Sequence, residues 1–119
     1  MDKLEKIFEL QNSFDTSMMK RRKLTEISPD EWIQKEVLAM ISELSELLDE
    51  VNFKWWKNPK PLNEGAIKEE LVDILHFYIS MCLKMNITAE ELFSAYVEKN
   101  RENFLRQEGK SEKQGYTAP

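Results

Sequence analysis

Four acidic residues raise the question of chemistry: Glu43 and Glu46 within SELSELLDE (residues 42–50), and Glu70 and Asp73 within EELVDILHF (residues 69–77). Spacings of Glu-x-x-Glu and Glu-x-x-Asp put both carboxylates of a pair on one side of a helix. On a wheel advancing about 100° per residue with Glu43 at zero, Glu46 falls at about −60° and Glu50 at about −20°. Leu44, Leu47 and Val51 spread around about 90°. With Glu70 at zero, Asp73 again falls at about −60°, beside a stripe of Leu71, Ile74, Leu75, Tyr78 and Cys82. The matching offsets allow two antiparallel helices, packed through their apolar stripes, to bring four carboxylates to one rim of the core. Grouped carboxylates repel and raise one another's pKa unless a cation neutralises them. All-oxygen donors suit Mg²⁺ or Mn²⁺ rather than zinc, and Mg²⁺ held by few carboxylates recruits phosphate oxygens. Two other readings stand beside this one: a solvated acidic face, and a di-iron carboxylate site. The latter wants a Glu-x-x-His motif on each of two helices, and the chain offers Asp73-x-x-His76 and a single histidine.

The elements that must position these residues are helices. Three Gly and four Pro leave few turns, which favours long helices over many short strands. Leu4, Ile7, Phe8, Gln11, Phe14 and Met18 recur at helical spacing and predict a first helix over about 3–20. Ser28-Pro29-Asp30-Glu31 combines a cap, a proline at the first helical position and a capping-box glutamate, opening a second helix over about 29–54. Asn58-Pro59-Lys60-Pro61 stops it. A third helix runs over about 64–85. Thr88-Ala89-Glu90-Glu91 caps a fourth over about 88–107, with Leu92, Phe93, Tyr96 and Val97 facing inward. The expected fold is an all-α four-helix bundle: one domain over 1–107 and a flexible tail over 108–119.

The composition excludes several classes. With 33% charged and 41% hydrophobic residues the chain is globular. A net charge of −5 argues against a general nucleic-acid binder. Lys20-Arg21-Arg22-Lys23 reads as a solvated connection. No apolar run approaches the roughly 18 residues of a membrane span, and the first residues do not start a signal peptide. One cysteine, Cys82, lies in an apolar stripe, as expected of an inert thiol in a reducing cytoplasm.

Taken together, Glu43-Leu44-Ser45-Glu46, Phe53-Lys54-Trp55-Trp56 and Glu69-Glu70-Leu71-Val72-Asp73-Ile74-Leu75-His76-Phe77 resemble the all-α nucleoside triphosphate pyrophosphohydrolases, most closely the dimeric dUTPases. Phe8-x-x-Gln11-x-x-Phe14-Asp15 is similar to the first motif of that family, and Lys99-Asn100-x-x-Asn103-x-x-Arg106-Gln107 to its C-terminal phosphate and sugar motif. Family members carry additional helical sequence where this chain has only residues 78–98, and the closing Gly-Tyr arrives late, at Gly115-Tyr116. This implies a compact form whose site a second subunit completes, closer in build to MazG-like housecleaning enzymes.

The resemblance implies hydrolysis of dUTP to dUMP and pyrophosphate, with MazG-like use of other nucleotides as the alternative. A non-catalytic helical interaction protein is the reading from another class. Under the resemblance, Glu43, Glu46, Glu70 and Asp73 hold Mg²⁺, and Glu46 is the candidate base for a water attacking the α-phosphorus. Lys99, Asn103 and Arg106 share one helix face and would meet phosphate and sugar; Lys54 is a further phosphate candidate. Trp56 and Phe77 are candidates for stacking on the base, with Gln11 or His76 reading its edge. Each aromatic could equally be core, and each lysine a surface charge. A homodimer or dimer of dimers is expected, because so short a bundle cannot cover all its apolar residues.

Overall fold

The computed structural model describes residues 1–112, and these form four helices. They are α1 (Lys3–Arg21), α2 (Pro29–Glu50), α3 (Glu64–Lys84) and α4 (Ala89–Gln107). The fold is all-α, as the sequence predicts. Gly115 and Tyr116, and most of the expected tail, lie outside the described residues.

Each helix begins on a side-chain cap. Asp2 accepts from the amide of Glu5, Ser28 from Glu31, Asn63 from Ala66 and Thr88 from Glu91. Each such bond satisfies one of the amides that a helix start leaves without an intrahelical acceptor, and is worth about 1 kcal/mol. Each helix also ends on a left-handed residue: Lys23 (φ 57°), Asn52 (φ 57°), Asn86 (φ 58°) and Gly109 (φ 71°). After α1 and α4 the chain closes back on itself, with Leu24 N–H donating to the Met19 carbonyl and Lys110 N–H to that of Leu105.

The second helix is shorter than the hydrophobic pattern suggests, ending at Glu50 rather than near residue 54. Asn52 accounts for the difference. Its left-handed backbone breaks the helix, and its side chain both donates to the Lys60 carbonyl (2.8 Å) and accepts from the Lys60 amide (2.9 Å). That clamp closes residues 53–60 into a loop displaying Phe53, Trp55 and Trp56. Lys54 pairs with Asp49 (3.8 Å) and Lys60 with Glu50 (3.9 Å) across the same turn.

The chain divides into two units, Met1–Asn86 and Ile87–Pro119. In the first, α3 packs against both α2 and α1. Glu36 of α2 meets Ser80 and Lys84 of α3, whereas Glu43 meets Glu70, so α2 and α3 run antiparallel. Gln11 meets His76 and Asp15 meets Ser80, so α1 and α3 run parallel. Phe8, Trp32, Ile79 and Cys82 are the buried apolar side chains of this unit.

The packing face of α2 differs from the one the apolar stripe implies. Trp32 and Glu36 are buried and Glu43 and Leu47 half-buried, while Ile41 is 56% and Leu48 46% exposed. The helices meet through the edge that bears the acids, with Leu47 at its margin, while Ile41, Leu44 and Leu48 face outward. In the second unit, Phe93, Tyr96 and Val97 of α4, expected to face inward, are exposed. Helical spacing identifies an apolar stripe, but not which surface covers it.

Candidate active site

The acid-bearing edges of α2 and α3 bring three of the four predicted carboxylates together. One oxygen each from Glu43, Glu46 and Glu70 lies within 4.8 Å of the others. Glu43 and Glu70 are half-buried and Glu46 is exposed. Oε2 of Glu43 and Oε2 of Glu70 are buried with no hydrogen-bond partner. A hydrogen bond with Glu43, then burial and the nearby charge of Glu46, push the Glu70 carboxyl up to about 7. Close carboxylates cannot all ionise without a compensating charge, so the trio holds back a proton that a cation would displace. Oxygen-only donors, crowded and with unused acceptor atoms, fit a hard divalent cation. Asp73 stands outside this trio. It is half-buried one turn further along α3 and lines the adjoining cavity. Glu50, on the same acidic edge of α2, pairs with Lys60.

A cavity of about 530 Å³ opens beside the acids, lined by side chains of α1, α2 and α3. Its size falls within the range of small-molecule sites. Glu43 and Asp73 border it; Phe14, Trp32 and Phe77 supply aromatic surface; Gln11 and His76 supply polar edges. Gln11 is buried and its orientation is fixed. Its Nε2 donates to Asp15 Oδ1 at 2.9 Å, so its Oε1 faces His76 Nδ1, 2.5 Å away. An amide oxygen only accepts, so His76 carries a proton on Nδ1.

Beyond Gln11 lies a buried polar cluster that the sequence reading did not single out as a site. Ser80 Oγ is 2.6 Å from Asp15 Oδ2 and also touches Glu36 Oε1. Lys84 Nζ reaches Ser80 Oγ at 3.0 Å, Asp15 at 3.3 Å and Glu36 at 3.5 Å. Its ammonium also sits 4.8 Å from the centre of the Trp32 ring. Burial pushes the Glu36 carboxyl up, against the opposing pull of the Ser80 hydroxyl and the Lys84 charge. The available signal was the i, i+4 pair Ser80 and Lys84, both polar within the apolar run FYISMCLK.

The remaining predicted residues fall elsewhere. Lys54 lies in the 53–60 loop beside Asp49. Trp56 is exposed and meets Trp55 edge-to-face, ring centres 5.6 Å apart; neither tryptophan is core. Lys99, Asn103 and Arg106 lie on α4, in the second unit, where Arg106 Nε bonds Glu102 at 3.2 Å.

The chain is 34% identical over 88 residues to a dCTP pyrophosphatase of Enterobacteria phage T4, covering 62% of this chain and 52% of that protein. It is 33% identical over 75 residues to a dCTP pyrophosphatase of Enterobacteria phage LZ5, covering 63% of this chain and 44% of that protein. A DNA replication protein of phage T4 is 32% identical over 81 residues, 21% of its length. The chain thus spans about half the length of the two pyrophosphatases. No solved structure matches it significantly. The profile described as dUTPase matches residues 3–91, a span holding the acidic trio, Gln11, His76 and the whole cavity lining. On that match the chain belongs to the dUTPase family.

Proposed function

We propose that the protein is a nucleotide pyrophosphohydrolase that cleaves a pyrimidine deoxynucleoside triphosphate to the monophosphate and pyrophosphate. The observation that carries this reading is the adjacency of the acidic trio Glu43, Glu46 and Glu70 to a cavity of about 530 Å³, roomy enough for a nucleobase and its sugar. The base enters the cavity against Phe77 and Phe14, where Gln11 and His76 present a fixed polar edge. The triphosphate extends toward Glu43, Glu70 and Asp73. A divalent ion held by Glu43, Glu46 and Glu70, Mg²⁺ on the chemistry of the donors, would neutralise phosphate charge and make the attacking water easier to deprotonate. Glu46, the exposed member of the trio, accepts the proton of the attacking water. Lys99, Asn103 and Arg106 would serve phosphate and sugar, and Lys54 and Trp56 would serve substrate from their loop.

Two substrates stand out. The family description points to dUTP, and the names of the phage relatives point to dCTP. The enzyme works as a homodimer or dimer of dimers, the exposed stripe of α2 being the surface that a second copy covers, in a reducing cytoplasm where Cys82 stays a thiol.

Pyrophosphate release from each deoxynucleoside triphosphate with Mg²⁺ tests the reading. Wild type is expected to release pyrophosphate from dUTP or dCTP, and Glu46→Gln to lose at least about 100-fold in kcat, as removal of a general base does. Absence of pyrophosphate with every nucleotide, from a protein that melts cooperatively, would overturn it.

A further inference from the structure

Gln11 and Asp15 stand at i and i+4 on α1, and both are buried. Their partners His76, Ser80 and Lys84 follow at the same spacing on α3. The bonds between the two rows have a direction. Ser80 Oγ and Lys84 Nζ both meet Oδ2 of Asp15, at 2.6 and 3.3 Å. Oδ1 is left for Gln11 Nε2 at 2.9 Å, and a carboxylate oxygen accepts. The amide nitrogen of Gln11 is thereby spent on Asp15, and its amide oxygen is what His76 Nδ1 meets.

Which ring nitrogen of a neutral histidine carries the proton is set by the hydrogen bond that the ring makes. Here Nδ1 has to donate, so the lone pair stays on Nε2. An imidazole side chain free in water prefers the reverse, with the proton on Nε2. Nδ1 being spent on Gln11, Nε2 is the only polar atom of the ring left for a ligand. The ring is exposed to one: His76 borders the large cavity and also a smaller one of about 330 Å³, walled by Ile7, Leu10, Val72 and Leu75.

We infer that Asp15 is a positioning residue: through Gln11 it fixes His76 as the Nδ1–H tautomer, so that the ring presents an acceptor, Nε2, to an N–H or O–H donor of a bound nucleoside. The ligand half of this rests on the reading that the site holds a nucleotide; the tautomer half does not. Ring N–H, amino and sugar hydroxyl groups of pyrimidine nucleosides are all such donors. The polarity of the His76 edge is set from the far end of the chain of bonds, and exchanging one oxygen of Asp15 for an NH2 group reverses it. In Asp15→Asn the donors Ser80 and Lys84 retain the remaining oxygen, because an ammonium cannot donate to an amide NH2. The new NH2 then faces Gln11, which turns over to offer its oxygen. The NH2 of Gln11 now faces His76, Nδ1 has to accept, and the proton resides on Nε2. The acceptor has become a donor.

The chain has a single histidine, so the ¹⁵N resonances of its imidazole need no assignment. At about pH 8, where the neutral ring is observed, wild type is expected to show Nδ1 protonated and Nε2 bare. Asp15→Asn is expected to invert that pattern, and Gln11→Met, which leaves Asp15, Ser80 and Lys84 in place, to release the ring to the Nε2–H form. Nε2–H in wild type overturns the inference and needs no variant to fold; so does an Nδ1–H pattern that survives in either variant. Calorimetry with dUMP and dCMP reads the ligand half without catalysis. Asp15→Asn is expected to bind them at least about tenfold more weakly than wild type, a donor now facing a donor. Unchanged affinity in an inverted Asp15→Asn overturns the role of Nε2 in recognition, as does failure of wild type to bind either monophosphate. Pyrophosphate release separates this from the proposed function. An enzyme that hydrolyses its nucleotide with His76 in the Nε2–H form keeps that function and loses this inference; a protein whose tautomer inverts but that hydrolyses nothing keeps the role of Asp15 and loses the function.

Discussion

At the scale of single residues, Glu70 carries the electrostatic cost of the acidic trio. Its folded-state pKa of about 7 lies above its ordinary value of 4.5, mainly because Glu43 shares a hydrogen bond with it. The sign of the linkage follows. Between those two values the unfolded chain releases this proton while the folded chain keeps it, so folding loses stability as pH rises through the window, and the loss is complete above it. Metal-free protein should melt at progressively lower temperature from about pH 5 to about pH 7.5. Glu70→Gln should flatten that dependence, and Mg²⁺ added at the upper end should raise the melting temperature again. Thermal melts across the pH series, with and without Mg²⁺, measure all three. An unchanged slope in Glu70→Gln would remove Glu70 as its source. The acidic residues themselves were legible in the sequence, since Glu43, Glu46 and Glu70 sit at spacings that define a helix edge. Glu36 was not: one glutamate among the many charged residues of α2 carries no mark of burial until Ser80 and Lys84, distant in sequence, arrive beside it.

At the scale of elements, Lys84 links the first three helices. Its ammonium holds Asp15 of α1 and Glu36 of α2 from its place on α3, with every partner nearly buried. Removing one member of a buried charge cluster leaves the others uncompensated, a loss of about 3–5 kcal/mol. Lys84→Met should therefore lower the free energy of unfolding in urea by about 3 kcal/mol. Adding Asp15→Asn and Glu36→Gln to Lys84→Met should recover much of that, since amides no longer need a counter-charge. A loss below about 0.5 kcal/mol would place Lys84 among ordinary surface lysines. Helix starts were readable because caps are local chemistry: Ser28-Pro29 and Thr88 occupy their expected positions. The end of α2 was not, because Asn52 breaks the helix through bonds to Lys60, eight residues away.

At the scale of the whole molecule, the unanswered feature is exposed apolar surface. Leu38, Ile41, Leu44 and Leu48 of α2, and Val51 just beyond its end, are all exposed, and large contiguous apolar patches on soluble proteins mark interaction surfaces. The proposed homo-oligomer predicts that sedimentation equilibrium finds at least a dimer, and that Leu44→Lys with Leu48→Lys shifts it to monomer without lowering helix content. A wild-type monomer at assay concentrations would refute it. None of the four helices is long and apolar enough to cross a membrane.

The amino-acid sequence by itself determined the all-α class, the helix starts and the acid spacings on α2 and α3, because caps and helical periodicity act over a few residues. Only the tertiary structure decided which faces meet. It turned the acids of α2 and α3 toward each other and left Ile41, Leu44 and Leu48 of the apolar stripe outside. It also brought Asp15, Glu36, Ser80 and Lys84 into one buried cluster. The reason is that several faces of an amphipathic helix can satisfy the same local pattern, and the choice among them belongs to contacts between residues far apart in the chain.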